Sequence, residues 1–335
     1  MTAQGGLFDD VDPPVAPRPV RSRANDDRDV QPAATPNGLA PHLDRWPDGL
    51  HVGTSSWSYP GWAGIVYARE HDATTLARHG LAAYGAHRWL RTVSIDRTYY
   101  GALSADELAG YAAVVPAYFR FMVKAPAELT TPTLRDAEGL PRDNPHWLDP
   151  EAARRLFVEP ATTGLGAYCG PLVFQCPPQG LRVVRQPRQF AQRVDALLAG
   201  LPRGPLYAFE LRDPALWTEA FGEVLAAHGA VWCASVHPGA APLSRQTELL
   251  ARMPAGPLVV RWNLAPKYRY AEAKARYAPF DRLVEEDPEA RGVLADWIGD
   301  ALDGGRRVWV IANNKAEGSA PLTLLKLLEV VLARV

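Results

Sequence analysis

Eight short apolar runs alternate with helical patterns from residue 51 to residue 333. They predict a single-domain α/β fold, a TIM (β/α)8 barrel. Three observations carry this. The runs are nearly continuous in apolar residues, as in Leu258-Val259-Val260, which marks strands buried on both faces of a parallel sheet. Their number is what closure of such a barrel requires. No GxGxxG follows the first run, which counts against a doubly wound open sheet, the runner-up.

Residues 51–57 form the first expected strand, ending in small residues and an aromatic loop, Tyr59-Pro60-Gly61-Trp62. Residues 76–84 read as a helix and 90–98 as the second strand. Ser104 and Glu107, three apart, are a capping box for the helix that follows. Residues 118–125 make the third strand, closed by Pro126. Asp149-Pro150 opens a helix, with the aspartate as cap and the proline at the first helical position. The fourth strand, 171–176, stops at Pro177-Pro178, where two prolines cannot donate to a ladder. A helix at 187–201 leads to the fifth strand, 206–212, and a helix at 214–228 ends at Gly229. The sixth and seventh strands are 230–237 and 258–264. A helix at 288–302 closes at Gly304-Gly305, then come the eighth strand, 306–313, and a last helix, 320–333.

Residues 1 to about 45 are expected to be a disordered tail, crowded with proline, arginine and aspartate and poor in large apolar residues, with the barrel domain over 46–335. The chain has 335 residues and a formal net charge of -1, so no global field points to nucleic acid or membrane. Cys169, Cys176 and Cys233 show no paired spacing, which fits a reducing cytoplasm. No apolar run approaches the roughly 18 residues of a membrane span, and the N-terminus lacks the apolar core of a secretion signal.

Function is sought where side-chain alternation places polar groups at the C-terminal strand ends, the catalytic face of such barrels. Glu210 and Arg212 share one face of the fifth strand. On matching faces the other strands present Ser55 and Trp57, Ser94 and Asp96, Met122 and Lys124, Val173 and Gln175, Ser235 and His237, and Arg261 and Asn263. One of Asn313 and Asn314 should point inward. Any one pair reads equally as a capped strand end. Eight together require solvent or a ligand to satisfy them. Cys176 should face the helices. With Lys124, Arg212, Arg261 and Lys315 close by, the mouth should be positive, favouring an anion. The loop Lys267-Tyr268-Arg269-Tyr270, followed by Lys274, Arg276 and Tyr277, interleaves basic and aromatic residues as phosphate-and-ring recognition does; a solvated amphipathic helix is the equal alternative.

The sequence therefore supports an enzyme whose acid–base site uses Glu210, Lys124, Asp96 and His237. An anionic ligand, bearing a phosphate or carboxylate, would be held by Arg212, Arg261, Asn263, Gln175, Asn313, Asn314, Trp57, Tyr59 and Trp62. Two alternatives stand beside it: a barrel that binds or processes nucleic acid, with Trp57, Trp62 and the 267–277 loop against the strand, and a non-catalytic binder of small molecules. No HxH, HExxH or paired-acid motif supports a resident metal. No cofactor is expected, and a divalent ion at Asp96, Glu210 and His237 is the alternative.

Five ordered motifs resemble the YecE-like family, the domain of unknown function 72. They are Gly53-Thr54-Ser55-Ser56-Trp57-Ser58-Tyr59-Pro60-Gly61-Trp62, Phe121-Met122-Val123-Lys124-Ala125-Pro126, Gly170 to Pro178, Phe209-Glu210-Leu211-Arg212-Asp213-Pro214, and Asn313 to Pro321. The resemblance covers about residues 50–333. It implies a TIM barrel and no established reaction; the fold is similar to that of metal-dependent apurinic endonucleases and sugar isomerases. Three places depart from the family pattern. Ser94 and Asp96 stand for its Glu and Asn, Thr131 for a His, and Arg261-Trp262-Asn263-Leu264 for Arg-x-His-Gly.

One tail segment, Gln4-Gly5-Gly6-Leu7-Phe8, is similar in its Gln-x-x-Leu-Phe order to the short peptides that dock on the bacterial replication sliding clamp. Leu7 and Phe8 would be adjacent apolar anchors on a flexible arm. Chance occurrence of so short a pattern is the competing reading.

Overall fold

A computed structural model describes residues 29–136 and 138–334. The Gln4–Phe8 segment lies outside the described residues. Eight parallel strands close into a barrel, each paired with the next barrel strand in the chain and the last with the first. They are β1 Leu50–Thr54, β2 Leu90–Ile95, β3 Arg120–Lys124, β6 Cys169–Cys176, β7 Tyr207–Leu211, β8 Val231–Val236, β9 Leu258–Trp262 and β10 Val308–Ala312. A two-stranded antiparallel hairpin, β4 Thr133–Arg135 with β5 Pro141–Asp143, projects after β3. The barrel expected from the sequence is the barrel observed.

The alternation predicted along each strand holds. Met122, Val173, Ala208, Cys233, Val259, Trp309 and Ile311 pack together as a closed apolar layer inside the barrel. The opposite faces, Phe174, Phe209, Cys176 and Trp262 among them, join the larger core beneath the helices. There Phe174 stacks on Phe209 at 5.0 Å and Trp217 on Trp232 at 4.3 Å. At the N-terminal end His51 stacks on Trp309 at 5.1 Å and closes the floor. Burial, aided by Arg120, Arg91 and Arg307, outweighs a hydrogen bond to the Arg91 backbone and lowers the His51 pKa to about 4. The ring is neutral above that.

Two boundaries differ from expectation. The second strand ends at Ile95, because residues Asp96–Tyr99 turn as a 3-10 helix. The tail was expected to run to about residue 45, yet residues 29–49 are packed against the barrel. Val30, Leu39, Leu43 and Trp46 are all buried, Ala33 N donates to the Val66 carbonyl at 2.9 Å, and the Trp46 indole donates to the Leu50 carbonyl at 2.9 Å. The reason is local. Val30, Leu39 and Leu43 are large apolar side chains late in a segment whose average composition is polar, and Trp46 follows directly after it.

Gly53 marks the closest approach in the sheet. A Cβ there would lie 1.8 Å from the Thr92 carbonyl oxygen, at the place where the β1–β2 register shifts. Gly53→Ala is expected to lower Tm by several degrees, since backbone must move to admit the methyl group. Gly110→Ala, on an exposed helical position with nothing within 4 Å, should leave Tm unchanged or raise it slightly. Melting curves of the two variants check this; equal behaviour would remove the close approach from the account.

Candidate functional site

The residues that end β7, β8, β9 and β2 form one hydrogen-bonded ionic cluster at the C-terminal mouth. Glu210, fully buried on β7, is its centre. Its Oε1 accepts from Arg212 Nη2 at 2.7 Å, Ser235 Oγ at 2.8 Å and Asn263 Nδ2 at 2.8 Å. Its Oε2 accepts from Arg261 Nη1 at 2.7 Å. Arg261 continues the chain through Nη2 to Asp96 Oδ2 at 2.6 Å, and Ser94 Oγ donates to the other Asp96 oxygen at 2.5 Å. Every one of these side chains is under a tenth exposed.

Lys124, the last residue of β3, is buried in the same mouth with its Nζ 3.7 Å from the centre of the Tyr99 ring. Gln175 pairs in register with Glu210 across β6 and β7, and Val173, paired with Lys124, is its neighbour two residues back. Asn313 faces inward. It donates to Ser55 Oγ at 2.8 Å and accepts from Lys315 Nζ at 3.2 Å. The Lys315 ammonium is 4.4 Å from the Tyr270 ring and itself buried. The mouth thus gathers Lys124, Arg212, Arg261 and Lys315 against Asp96 and Glu210. Ser94, Ser235, Ser55 and Tyr99 were not named as site residues from sequence, and Lys315 was named only for the charge of the mouth. Parity had placed the three serines inward, and that was their only signal.

Burial by itself raises the Glu210 pKa. The charges of Arg212 and Arg261, with hydrogen bonds from Arg261 and Ser235, outweigh it and hold the group at about 2. Arg261 shows the complement: burial opposes its charge, and Asp96 and Glu210 more than restore it, raising its pKa. Glu210 is therefore an ion with both oxygens engaged. That suits it to hold two guanidinium groups and unsuits it to give or take a proton at neutral pH. His237 at the end of β8 is half-buried, and its Nδ1 accepts the Gly239 N–H at 2.9 Å, which leaves the proton of the neutral ring on Nε2.

Four residues expected to bind ligand are placed otherwise. Trp62 is fully buried and its indole donates to Asn314 Oδ1 at 3.2 Å; that same oxygen accepts Ala320 N at 2.8 Å, starting the last helix. Asn314 thus points away from the mouth. Trp57 packs edge-on against Tyr111 at 5.2 Å within the outer core. Tyr59, half-buried, lies 5.0 Å from Trp62 and 5.7 Å from Phe280. The physical reason is common to the three aromatic residues. The loop after β1 folds outward over the helices, so alternation ceases to predict direction once the strand ends at Thr54. In the basic-aromatic loop, Lys267 and Tyr277 both donate to the Glu285 carboxylate, Lys267 at 2.5 Å.

Among the described residues no group of three or more His, Cys, Asp and Glu side chains could hold a metal ion, and no helix is long and apolar enough to cross a membrane. A cavity of about 440 Å³ lies far from this cluster. It opens between the helices Glu219–Ala227, Leu243–Arg252 and Pro288–Asp303, and none of the ionic residues lines it. Size alone would favour it as a site; converging charge favours the mouth.

The family described as "Protein of unknown function DUF72" matches residues 51–334. The chain belongs to the DUF72 family. Among solved structures it resembles a DUF72 family protein from Thermotoga maritima, at 20% identity and a TM-score of 0.55, over 83% of this chain and 96% of that one. It resembles another from Enterococcus faecalis at 16% identity and a TM-score of 0.55, over 84% of this chain and 95% of that one. At such identities the likeness speaks for the fold. No curated protein matches the chain. Within this DUF72 barrel, two of the places that depart from the family pattern, Ser94 with Asp96 and Asn263, belong to the Glu210–Arg261 network. Thr131 lies outside it, its carbonyl accepting from Asn144 at 2.7 Å.

Glu210 has a folded pKa below its ordinary 4.5, so its contribution to stability is full above about 4.5 and is lost as pH falls toward about 2. The size expected is on the order of 3 kcal/mol. His51 acts in a higher window, losing its contribution as pH falls from 6.5 through about 4. Glu210→Gln should be less stable than the parent at pH 7 by about 3–5 kcal/mol, because two buried arginines lose a counter-ion. The gap should narrow between pH 4.5 and 2. Denaturation at a series of pH values measures it, and a gap independent of pH would contradict the assignment.

Proposed function

We propose that this DUF72 barrel binds a small anion, phosphate- or carboxylate-bearing, at its C-terminal mouth. The observation that carries the reading is the charge count in a buried space. Lys124, Arg212 and Arg261 converge there with only Asp96 and Glu210, and Lys315 adds a fourth cation beside Asn313. Desolvated charge calls for compensation, and an anion seated among these groups provides it. Arg212 and Arg261 are held at fixed angles by Glu210, which favours a bidentate oxyanion.

Burial favours a small ligand over a polymer. Phosphates of a duplex cannot reach guanidinium groups only 2–4% exposed, and the two tryptophans expected to stack on bases are core residues. Of its expected contacts the nucleic-acid reading keeps the largely exposed 267–277 loop. An acid–base step in this site falls to His237, whose Nε2 carries the proton, while Glu210 serves as the fixed counter-ion that positions the arginines.

Lys124→Met removes one cation and keeps the apolar stem. It should weaken binding of inorganic phosphate at least tenfold while leaving Tm unchanged or raised, since a desolvated charge is removed. Calorimetric titration with phosphate at low ionic strength, alongside melting curves, tests this. Failure of the parent protein to bind phosphate or simple carboxylates at ten millimolar order would reject the reading.

A further inference from the structure

Gln175 sits at the centre of the mouth with an unspent hydrogen-bonding group. It is 1% exposed, on the inward face of β6, two residues beyond Val173 of the inner apolar layer. Its register partner is Glu210, and its other flank is β3, which ends in Lys124. Its side-chain carbonyl Oε1 accepts no hydrogen bond from any described residue. A buried acceptor left so is costly, and a native protein places one where something donates to it.

The neighbouring groups do not supply that donor. Ser235 and Asn263 both give their protons to Glu210, Ser94 gives its proton to Asp96, and Asn313 bonds Ser55 and Lys315. Turning the amide over does not remove the demand, since it then presents an unmatched donor beside the same cations. A fully deprotonated oxyanion such as a carboxylate offers acceptors only, so it satisfies the arginines and leaves Gln175 Oε1 as it is.

We propose that Gln175 selects, among small anions, those that carry a hydroxyl close to the anionic group: a hydroxylated oxyanion such as a sugar phosphate or a hydroxy acid. The hydroxyl donates to Gln175 Oε1 while phosphate or carboxylate oxygens accept from Arg212, Arg261 and Lys124. A neutral hydroxyl fits better than an ammonium, because four buried cations already crowd the mouth and would repel a further charge of like sign. The proposal rests on the anion-binding reading above and adds to it a specificity residue and a ligand class.

The test compares ligands matched in charge and differing in the hydroxyl. Glycerol 3-phosphate is titrated against methyl phosphate, and glycerate against propionate, by calorimetry on the full chain; the two pairs separate a phosphate from a carboxylate source. A hydroxyl preference of about tenfold or more in either pair is expected, the usual effect of leaving a buried acceptor unpaired. Gln175→Leu should abolish that preference, the two members of each pair then binding within about threefold of each other. Equal affinity within both pairs would overturn the role of Gln175 and leave the anion site standing. Absence of binding by all four ligands and by inorganic phosphate would overturn both. The ligand comparison needs only the parent protein, so a variant that fails to fold does not blunt it.

Discussion

Arg261 is the constraint on which the rest of the mouth depends. It rises from β9 and reaches two carboxylates on other walls of the barrel, Glu210 on β7 and Asp96 beyond β2, at 2.7 and 2.6 Å. A guanidinium suits this because its planar fork offers separate donors in fixed directions, which an ammonium does not. The cost of burying three such ions is offset only when nearly every lone pair is met. That requirement fixes the neighbours. Ser235, Asn263 and Arg212 fill Glu210 Oε1, and Ser94 fills the second oxygen of Asp96. Ser235, Asn263 and Ser94 are short polar side chains at or just beyond the last inward place of a strand, where the pleat delivers them to the axis.

Beneath the cluster the barrel is apolar. Met122, Val173, Ala208, Cys233, Val259, Trp309 and Ile311 occupy its interior, and His51 closes the floor as a neutral ring. The ions therefore face a low dielectric on one side, which strengthens every pairing among them. The same setting excludes Glu210 from proton transfer. A carboxylate that anchors two arginines is stabilised as the ion, and a group so stabilised is a weak base.

Two of the three places at which the sequence was expected to depart from the family pattern fall within one network. Asp96 and Ser94 on one wall and Asn263 on another change together the partners available to Glu210 and Arg261. Residues in direct contact couple energetically, so such changes are to be read as a set.

The sequence by itself determined the barrel and the lining of its mouth. Strand period is a local property: once residues 206–212 are extended, Glu210 and Arg212 share a face with Ala208 whatever surrounds them, and the same holds for Lys124, Gln175, Arg261 and Asn263. Eight apolar runs then leave closure as the way to bury both faces. What lay outside a regular period was decided by tertiary structure. The loop carrying Trp57, Tyr59 and Trp62 follows no alternation, and its rings turned into the helical core. Residues 29–49 look like tail by composition and gain their order only from contact with the barrel. The choice between Asn313 and Asn314 needed the position of Trp62 and the start of the last helix. The pairing of Arg261 with Asp96 joins positions 165 residues apart, and only closure of the sheet brings them within a hydrogen bond's length.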